Sequence, residues 1–478
     1  MLIVDHFCGL GGASEGIRQT FGRDPDYAIN HNEAAITMHA ANHPDTVHAM
    51  TDIWGVDPKK ATGGLPVGLL WASPTCTHFS RAKGGIPLSN ELRDLPWTTV
   101  KWLGQVRPAV FVVENVTEMQ TWGPLVQKRD KNGEPVLTKD NRPWMVPDPD
   151  RKGETFHKWI NAIRELGYKV EWRELCAADY GIPTIRNRLF ITGRCDGEPN
   201  VWPEPTHARQ PAGDQQSWEP IWPHLNWSDL GRSIFGRKKP LAENSLARIA
   251  AGIKRFVLED PEPFIMRLGQ TSNAPTSKVR SVRDPLTTIT TKNEHCLVTP
   301  EVSQVAAFMA RHNKGMTARD IRLPYPSITT SGSQVPLVTA SVAKFYGTST
   351  GSSVKQPLHT VTAGGSKHAL VTSLLVKYYG QGGQWQSLKE PLHTIPTRGR
   401  FGLVTCTIEG EPYVITDIRM RMLSPRELAR AQGFPEDYIL TGTKRDQIAR
   451  IGNSVCPGLA KAIVASQFKS RQDLLMRA

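Results

Sequence analysis

The chain has 478 residues, 39% hydrophobic and 22% charged, a balance that excludes a disordered protein. It is long enough for roughly two to four domains. Its 58 Lys and Arg against 45 Asp and Glu leave a formal net charge of +13, which favours a polyanionic partner, nucleic acid first, over an acidic protein surface.

The seven cysteines are widely spread and never spaced as C-x2-C, which argues against a structural zinc site and a secreted disulfide framework. No basic leader precedes the first apolar run and no apolar stretch reaches about 18 residues, so neither a signal peptide nor a membrane span is expected. A reducing, cytoplasmic setting follows as an expectation.

Leu2-Ile3-Val4 reads as a buried strand, Asp5-His6-Phe7-Cys8-Gly9-Leu10-Gly11-Gly12 as a glycine-rich turn, and Ala13 to Phe21 as a helix. Such a turn lets a ligand approach the backbone closely, although a tight structural turn would need the same glycines. Tyr27-Ala28-Ile29 is a second strand ending at Asn30, where a nucleotide-type pocket commonly places an acid for the ribose hydroxyls. Asp52 and Ile53 follow a further short segment, and Asp52 is open to either ligand contact or a helix N-cap.

Val67 to Ala72 is an apolar run that ends in Ser73-Pro74-Thr75-Cys76-Thr77-His78-Phe79-Ser80, placing a thiol at the rim of a sheet. Taken alone, Cys76 fits a small buried hydrophobe as well as a nucleophile. Arg81 to Gly85 is basic and glycine-rich, suited to a phosphate backbone or to a plain surface loop. Ala109 to Val113 is a central strand ending in Glu114-Asn115-Val116, with a carboxylate at the same sheet edge as the thiol.

The polar stretch 127–153 reads as a long loop or insertion, followed by a helix over 156–166 and a strand over 168–175. Arg186 and Arg188, at i and i+2 before the strand 189–191, present both guanidinium groups from one side of an extended segment. That pair suits a phosphate or a base edge, with surface ion pairing as the alternative.

Composition shifts towards Pro, Ser, Thr and Gly near residue 203, which places boundaries at 1–203, 204–412 and 413–478. Four segments beginning at Pro285, Pro326, Pro357 and Pro391 share a Thr-rich strand, a polar turn and a Leu-Val strand, and read as stacked β hairpins. Loops on such a scaffold could follow a DNA groove or simply face solvent. Ser424-Pro425 marks a helix start, and Gly452-Asn453-Ser454-Val455 leads into a final helix that returns to the first domain.

These pieces, in this order, resemble the DNA cytosine-5 methyltransferases of prokaryotic or phage type. The resemblance rests on the loop 5–12, the Cys76 loop, Glu114-Asn115-Val116, Arg186-Asn187-Arg188 and Gly452 to Val455, and covers roughly 1–200 and 415–478. It implies an α/β, Rossmann-like core dependent on S-adenosylmethionine (SAM), with an inserted, repeat-containing, mostly β target-recognition domain. It further implies Cys76, Glu114, Arg186 and Arg188 as catalytic residues. Phe7, Cys8, Gly9, Leu10, Gly11, Asn30, Asp52, Ile53, Pro74, Asn453, Ser454 and Val455 are the corresponding cofactor contacts.

Candidate DNA contacts are Ser80, Arg81, Lys83 and Gly84 beside the thiol, and Lys344, Tyr346, Lys377, Tyr379, Gln384 and Arg398 in the repeats. The expected reaction methylates C5 of a flipped-out cytosine in double-stranded DNA and releases S-adenosylhomocysteine. The protein is expected to be a monomer, without metal, in a prokaryotic cell or phage-infected host, with a restriction or phage-defence system as a further candidate partner. A catalytically silent DNA-binding protein on the same core is the alternative. The family usually has Pro and Gln flanking the thiol where Thr75 and Thr77 stand, Gln in place of Thr184, and an acid at Asn30.

Overall fold

The computed structural model describes residues 1–75, 93–138, 140–234, 237, 241–256, 262–268, 275–304, 306–310, 318–320, 337–344, 368–371, 375–377, 385–386, 401–403, 405–408 and 411–468. The chain divides into two compact units, one of residues 1–225, 283–293 and 424–478, the other of 226–282 and 294–423.

In the first unit the elements are β1 (Leu2–His6), α1 (Gly12–Phe21), β2 (Tyr27–Asn30), α2 (Glu33–Asn42), β3 (Val47–Met50), β4 (Val67–Ala72), α3 (Trp97–Val106), β5 (Val110–Asn115), α4 (Glu154–Glu165), β6 (Lys169–Cys176), β7 (Thr184–Ile185), β8 (Asn187–Arg194), β9 (Leu286–Thr287), α5 (Pro425–Ala431), α6 (Lys444–Asn453) and α7 (Pro457–Gln467). One seven-stranded sheet has the order β3-β2-β1-β4-β5-β8-β6. Its first five strands are parallel, and β8 runs antiparallel to both β5 and β6.

Alternation along the central strands explains the layers. Val4, Leu70, Ala72, Phe111 and Val113 meet Trp102 and Leu103 of α3 and Trp159, Ile160 and Ile163 of α4 on one face. Their neighbours Ile3, Leu69, Trp71, Val110 and Val112 meet Ala13 and Ile17 of α1 and Leu459, Ala460 and Ile463 of α7 on the other. Strands covered on both faces read as unbroken apolar runs, and every residue of β4 and β5 is buried. Each such aliphatic side chain contributes about 1.5–3 kcal/mol when buried. The last helix therefore packs within the first unit.

The unit boundaries differ from those read in composition. The Pro-rich stretch after 203 stays with the first unit because Tyr180 donates to the Pro203 carbonyl (3.0 Å), Trp218 Nε1 donates to Asp179 (2.8 Å), and Ile221 is buried. At the other end, Glu411–Met422 is a strand paired with His295–Gln304, so the second unit runs to 423. The stretch 127–153 is not all loop: Leu125–Gln127 pairs antiparallel with Met145–Pro147.

In the second unit, Phe264–Arg267 lies between Val279–Ser281 and His295–Gln304, and the helix Glu243–Phe256 packs on that sheet through Ile249 and Ile253. The first of the four repeats is not a hairpin. Its Leu286–Thr287 is β9, paired parallel with β7 in the first unit, while its Leu297-Val298 belongs to the second. Leu337–Lys344 and His368–Val371 are antiparallel neighbours. The Thr-rich halves of the later three repeats lie outside the described residues.

Candidate active site

The carboxyl ends of β1, β2, β4 and β5 open on a cavity of about 260 Å³. This is where an open, mostly parallel α/β sheet binds its ligands. Its walls are Phe7, Gly9, Leu10, Asn30, His31, Asn32, Ala35, Ser73, Pro74 and Thr75, closed by Glu114, Arg186, Arg188, Arg450 and Asn453.

The loop after β1 is strained where it meets this space. Phe7 holds φ +59°, a left-handed conformation that costs a non-glycine residue on the order of 1–3 kcal/mol. Gly11 has φ +98°, and a Cβ there would fall 2.5 Å from the Tyr438 hydroxyl oxygen and 2.9 Å from His43 Nε2. Glycine is thus required at Gly11 by conformation and by space together. The loop is held by Cys8 N–H donating to the Ile29 carbonyl (3.2 Å) and Gly11 N–H to the Cys8 carbonyl (2.9 Å).

At the neighbouring strand ends, Asn30 Oδ1 accepts from Asn32 N–H (3.0 Å), and Asn32 Oδ1 caps α2 by accepting from Ala35 N–H (3.1 Å). Asn115 Nδ2 donates to the Pro74 carbonyl (3.0 Å), which fixes the backbone leaving β4 against the end of β5. Glu114 and Arg188 form an ion pair, Oε1 to Nε 3.1 Å, with side chains 8% and 14% exposed. Such a pair is desolvated enough for its charges to interact strongly.

Arg186 is 2% exposed and does a different job from its neighbour. Its guanidinium donates to the carbonyls of Ile289 (3.2 Å), Gly452 (3.1 Å) and Ser454 (2.9 Å), joining three segments remote in sequence. Gln432 Nε2 also donates to the Ser454 carbonyl (2.9 Å). These bonds set the turn that brings Asn453 to the cavity.

Beneath the loop lies a buried polar chain. Ser14 Oγ donates to Asp5 Oδ2 (2.6 Å), His39 Nε2 contacts Ser14 Oγ (2.9 Å), and His39 Nδ1 contacts His48 Nε2 (2.7 Å). Burial pushes the Asp5 carboxyl up to about 7, partly offset by the Ser14 hydroxyl, and pushes His6 down to about 3. It also raises the Cys8 thiol well above its ordinary value and the Cys456 thiol to about 11. Neither of these buried thiols supplies a thiolate at neutral pH.

Of the residues singled out from sequence, Phe7, Gly9, Leu10, Asn30, Pro74, Glu114, Arg186, Arg188 and Asn453 come together around the cavity. Cys8, Gly11, Ser454 and Val455 support it from behind, Cys8 and Val455 as buried packing. Asp52 does not line it. Its Oδ1 accepts from Trp54 N–H (3.2 Å) as the cap of a short 3-10 turn, and Ile53 is core. Cys76, Ser80, Arg81, Lys83 and Gly84 lie outside the described residues, as do Tyr346, Tyr379, Gln384 and Arg398 and the side chains of Lys344 and Lys377. Sequence reading missed Asn32 and Arg450. The signal for Arg450 was its place one helical turn before Asn453, on the same face of α6.

Among the described residues no helix is long and apolar enough to cross a membrane. A type II methyltransferase, M.AgeI of Thalassovita gelatinovora, is 31% identical over 215 residues, covering 43% of this chain and 42% of that protein. M.AquIA of Picosynechococcus, also a type II methyltransferase, is 26% identical over 210 residues, 43% of this chain and 76% of its own length. The chain thus spans less than half of the first of these relatives. The S. pombe Dnmt2 methyltransferase structure aligns over 98% of this chain and 99% of its own, at 12% identity and a TM-score of 0.46. The family model for C-5 cytosine-specific DNA methylases matches residues 1–124, 148–246 and 287–469, which include every strand of the seven-stranded sheet. The chain belongs to the C-5 cytosine-specific DNA methylase family.

Proposed function

We propose that the protein transfers a methyl group from SAM to C5 of a flipped-out cytosine in double-stranded DNA at a specific sequence, through a covalent bond between Cys76 and C6. The observation that carries this reading is the Glu114–Arg188 pair, which lines one cavity together with the glycine loop and Asn453.

The cavity fits the cofactor in its chemistry. Phe7, Leu10, Ala35 and Pro74 offer apolar surface, and Asn30, Asn32 and Asn453 offer amide donors and acceptors. Bound there, SAM would supply an electrophilic methyl group. Asn30, in place of an acid, hydrogen-bonds without adding charge.

Cytosine C5 is a weak nucleophile until a nucleophile adds at C6, which breaks the C5–C6 double bond and leaves C5 the electron-rich carbon of an enamine. Cys76 adds to C6 as a thiolate, and C5 then bonds the methyl carbon as the carbon–sulfur bond to the methyl breaks. Loss of the C5 proton to a base expels Cys76 as the thiolate and restores the C5–C6 double bond. Glu114, sharing a proton with N3, offsets the charge that develops on the ring, and Arg188 fixes the Glu114 carboxyl group while facing the base oxygen. Arg186 acts as a positioning residue through the backbone it ties together.

The target atom is hidden in a duplex, so the base leaves the stack at a cost of a few kcal/mol, offset by contacts from the 81–85 loop and the second unit. Sequence is read by that second unit, with the loops at 347–355 and 380–385 as the first candidates. A restriction or phage-defence system remains the partner that such a site-specific activity would serve.

The deciding experiment incubates the protein with labelled SAM and duplex DNA. Transfer to cytosine that is lost in Cys76→Ser supports the proposal, and transfer by that variant at the wild-type rate overturns it. Methylation mapping of DNA from expressing cells then gives the target.

A further inference from the structure

Arg450 lies on α6 one turn before Asn453, and both residues line the cavity. Its Nη2 donates to Asn32 Oδ1 at 2.6 Å, and the same oxygen caps α2. The guanidinium is thereby held by a neutral amide that is itself fixed by a helix. Its Nε–H is buried and has no hydrogen-bond partner among the described residues.

The other two arginines of the cavity are already committed, Arg188 to Glu114 and Arg186 to backbone carbonyls. Arg450 makes no salt bridge among the described residues and feels the Asp446 carboxylate only through a Coulombic interaction, so it is a positioned positive charge in the cavity wall. A planar guanidinium with free donors matches a carboxylate. Resting on the proposed use of SAM, we infer that Arg450 binds the carboxylate at the amino-acid end of the cofactor. That carboxylate is the only anionic group the cofactor carries.

The test uses the full chain and titration calorimetry with two probes, S-adenosylhomocysteine and 5′-methylthioadenosine, which lacks the amino-acid end. In Arg450→Gln the affinity for S-adenosylhomocysteine should fall about tenfold or more, while that for methylthioadenosine stays within about twofold. Arg450→Lys, which keeps the charge but not the fork, should lose less. Equal losses for both probes, or no loss in Arg450→Gln, overturn the inference. A wild-type protein that binds methylthioadenosine and S-adenosylhomocysteine equally overturns it too. Wild-type protein that binds neither overturns the cofactor reading itself.

Discussion

Glu114 and Arg188 stand on adjoining antiparallel strands, β5 and β8, with Oε1 and Nε 3.1 Å apart at the end of the sheet where the parallel strands open. Neither side chain can be changed without leaving the other charged and largely buried. Glu114→Gln keeps the shape and a hydrogen bond but removes the negative charge. Methyl transfer by this variant should fall about 100-fold or more, with S-adenosylhomocysteine binding within about threefold of wild type. A transfer rate near wild type would make the pair structural only.

Arg186 should report on stability. Replacing it with Met leaves the carbonyls of Ile289, Gly452 and Ser454 short of a shared donor inside the protein. The expected loss is about 2–4 kcal/mol in urea denaturation of the first unit. Arg186→Lys should recover part of it. If the Met variant unfolds at the wild-type midpoint, the three carbonyls find other donors and the tie is dispensable.

Asp5 and His6 are adjacent, fully buried, and shifted in opposite directions. Between about pH 4 and 7 folded Asp5 retains a proton that the unfolded chain has released, so its contribution to stability falls as pH rises through that window. Between about pH 6.5 and 3 folded His6 lacks a proton that the unfolded chain has bound, so its contribution falls as pH drops. In the wild type the two slopes oppose each other. The stability of Asp5→Asn relative to wild type should therefore grow by on the order of 3 kcal/mol from pH 4 to pH 7. That of His6→Phe, which keeps a ring against Trp102, should grow as pH falls below 6.5. Differences that do not change with pH would show that neither group titrates as its burial implies.

The core was readable because its strands are covered on both faces. Unbroken apolar runs at 67–72 and 109–113, each ending in polar residues, leave little choice of element or of edge. Ser424 was readable for a local reason, and it does form a capping box with Glu427. The return of 283–293 to the first unit was not readable, since β9 is two residues long and its Thr-rich flanks look like one more hairpin. Nor could spacing alone separate the two arginines. Arg188 sits in β8 and meets Glu114, while Arg186 precedes that strand and reaches carbonyls supplied by residues 100 or more positions away, a relationship no local pattern encodes.

Gly12 links packing to the cavity at the strand ends. It opens α1, and a Cβ placed there would overlap the Val455 carbonyl oxygen and the Ser454 hydroxyl, in the turn that also carries Asn453. Both sides of this contact are buried, and the Ser454 carbonyl is already held by Arg186 and Gln432, so the turn cannot yield freely. Gly12→Ala should cost about 1–3 kcal/mol in urea denaturation and should weaken S-adenosylhomocysteine binding as Asn453 is displaced. Gly55→Ala is the matched control, because a Cβ there meets nothing within 4 Å. Its stability and binding should stay within about 0.5 kcal/mol of wild type. Equal behaviour of the two alanine variants would mean that α1 and the 453–455 turn can separate without consequence, and that the close approach at Gly12 does not shape the cavity.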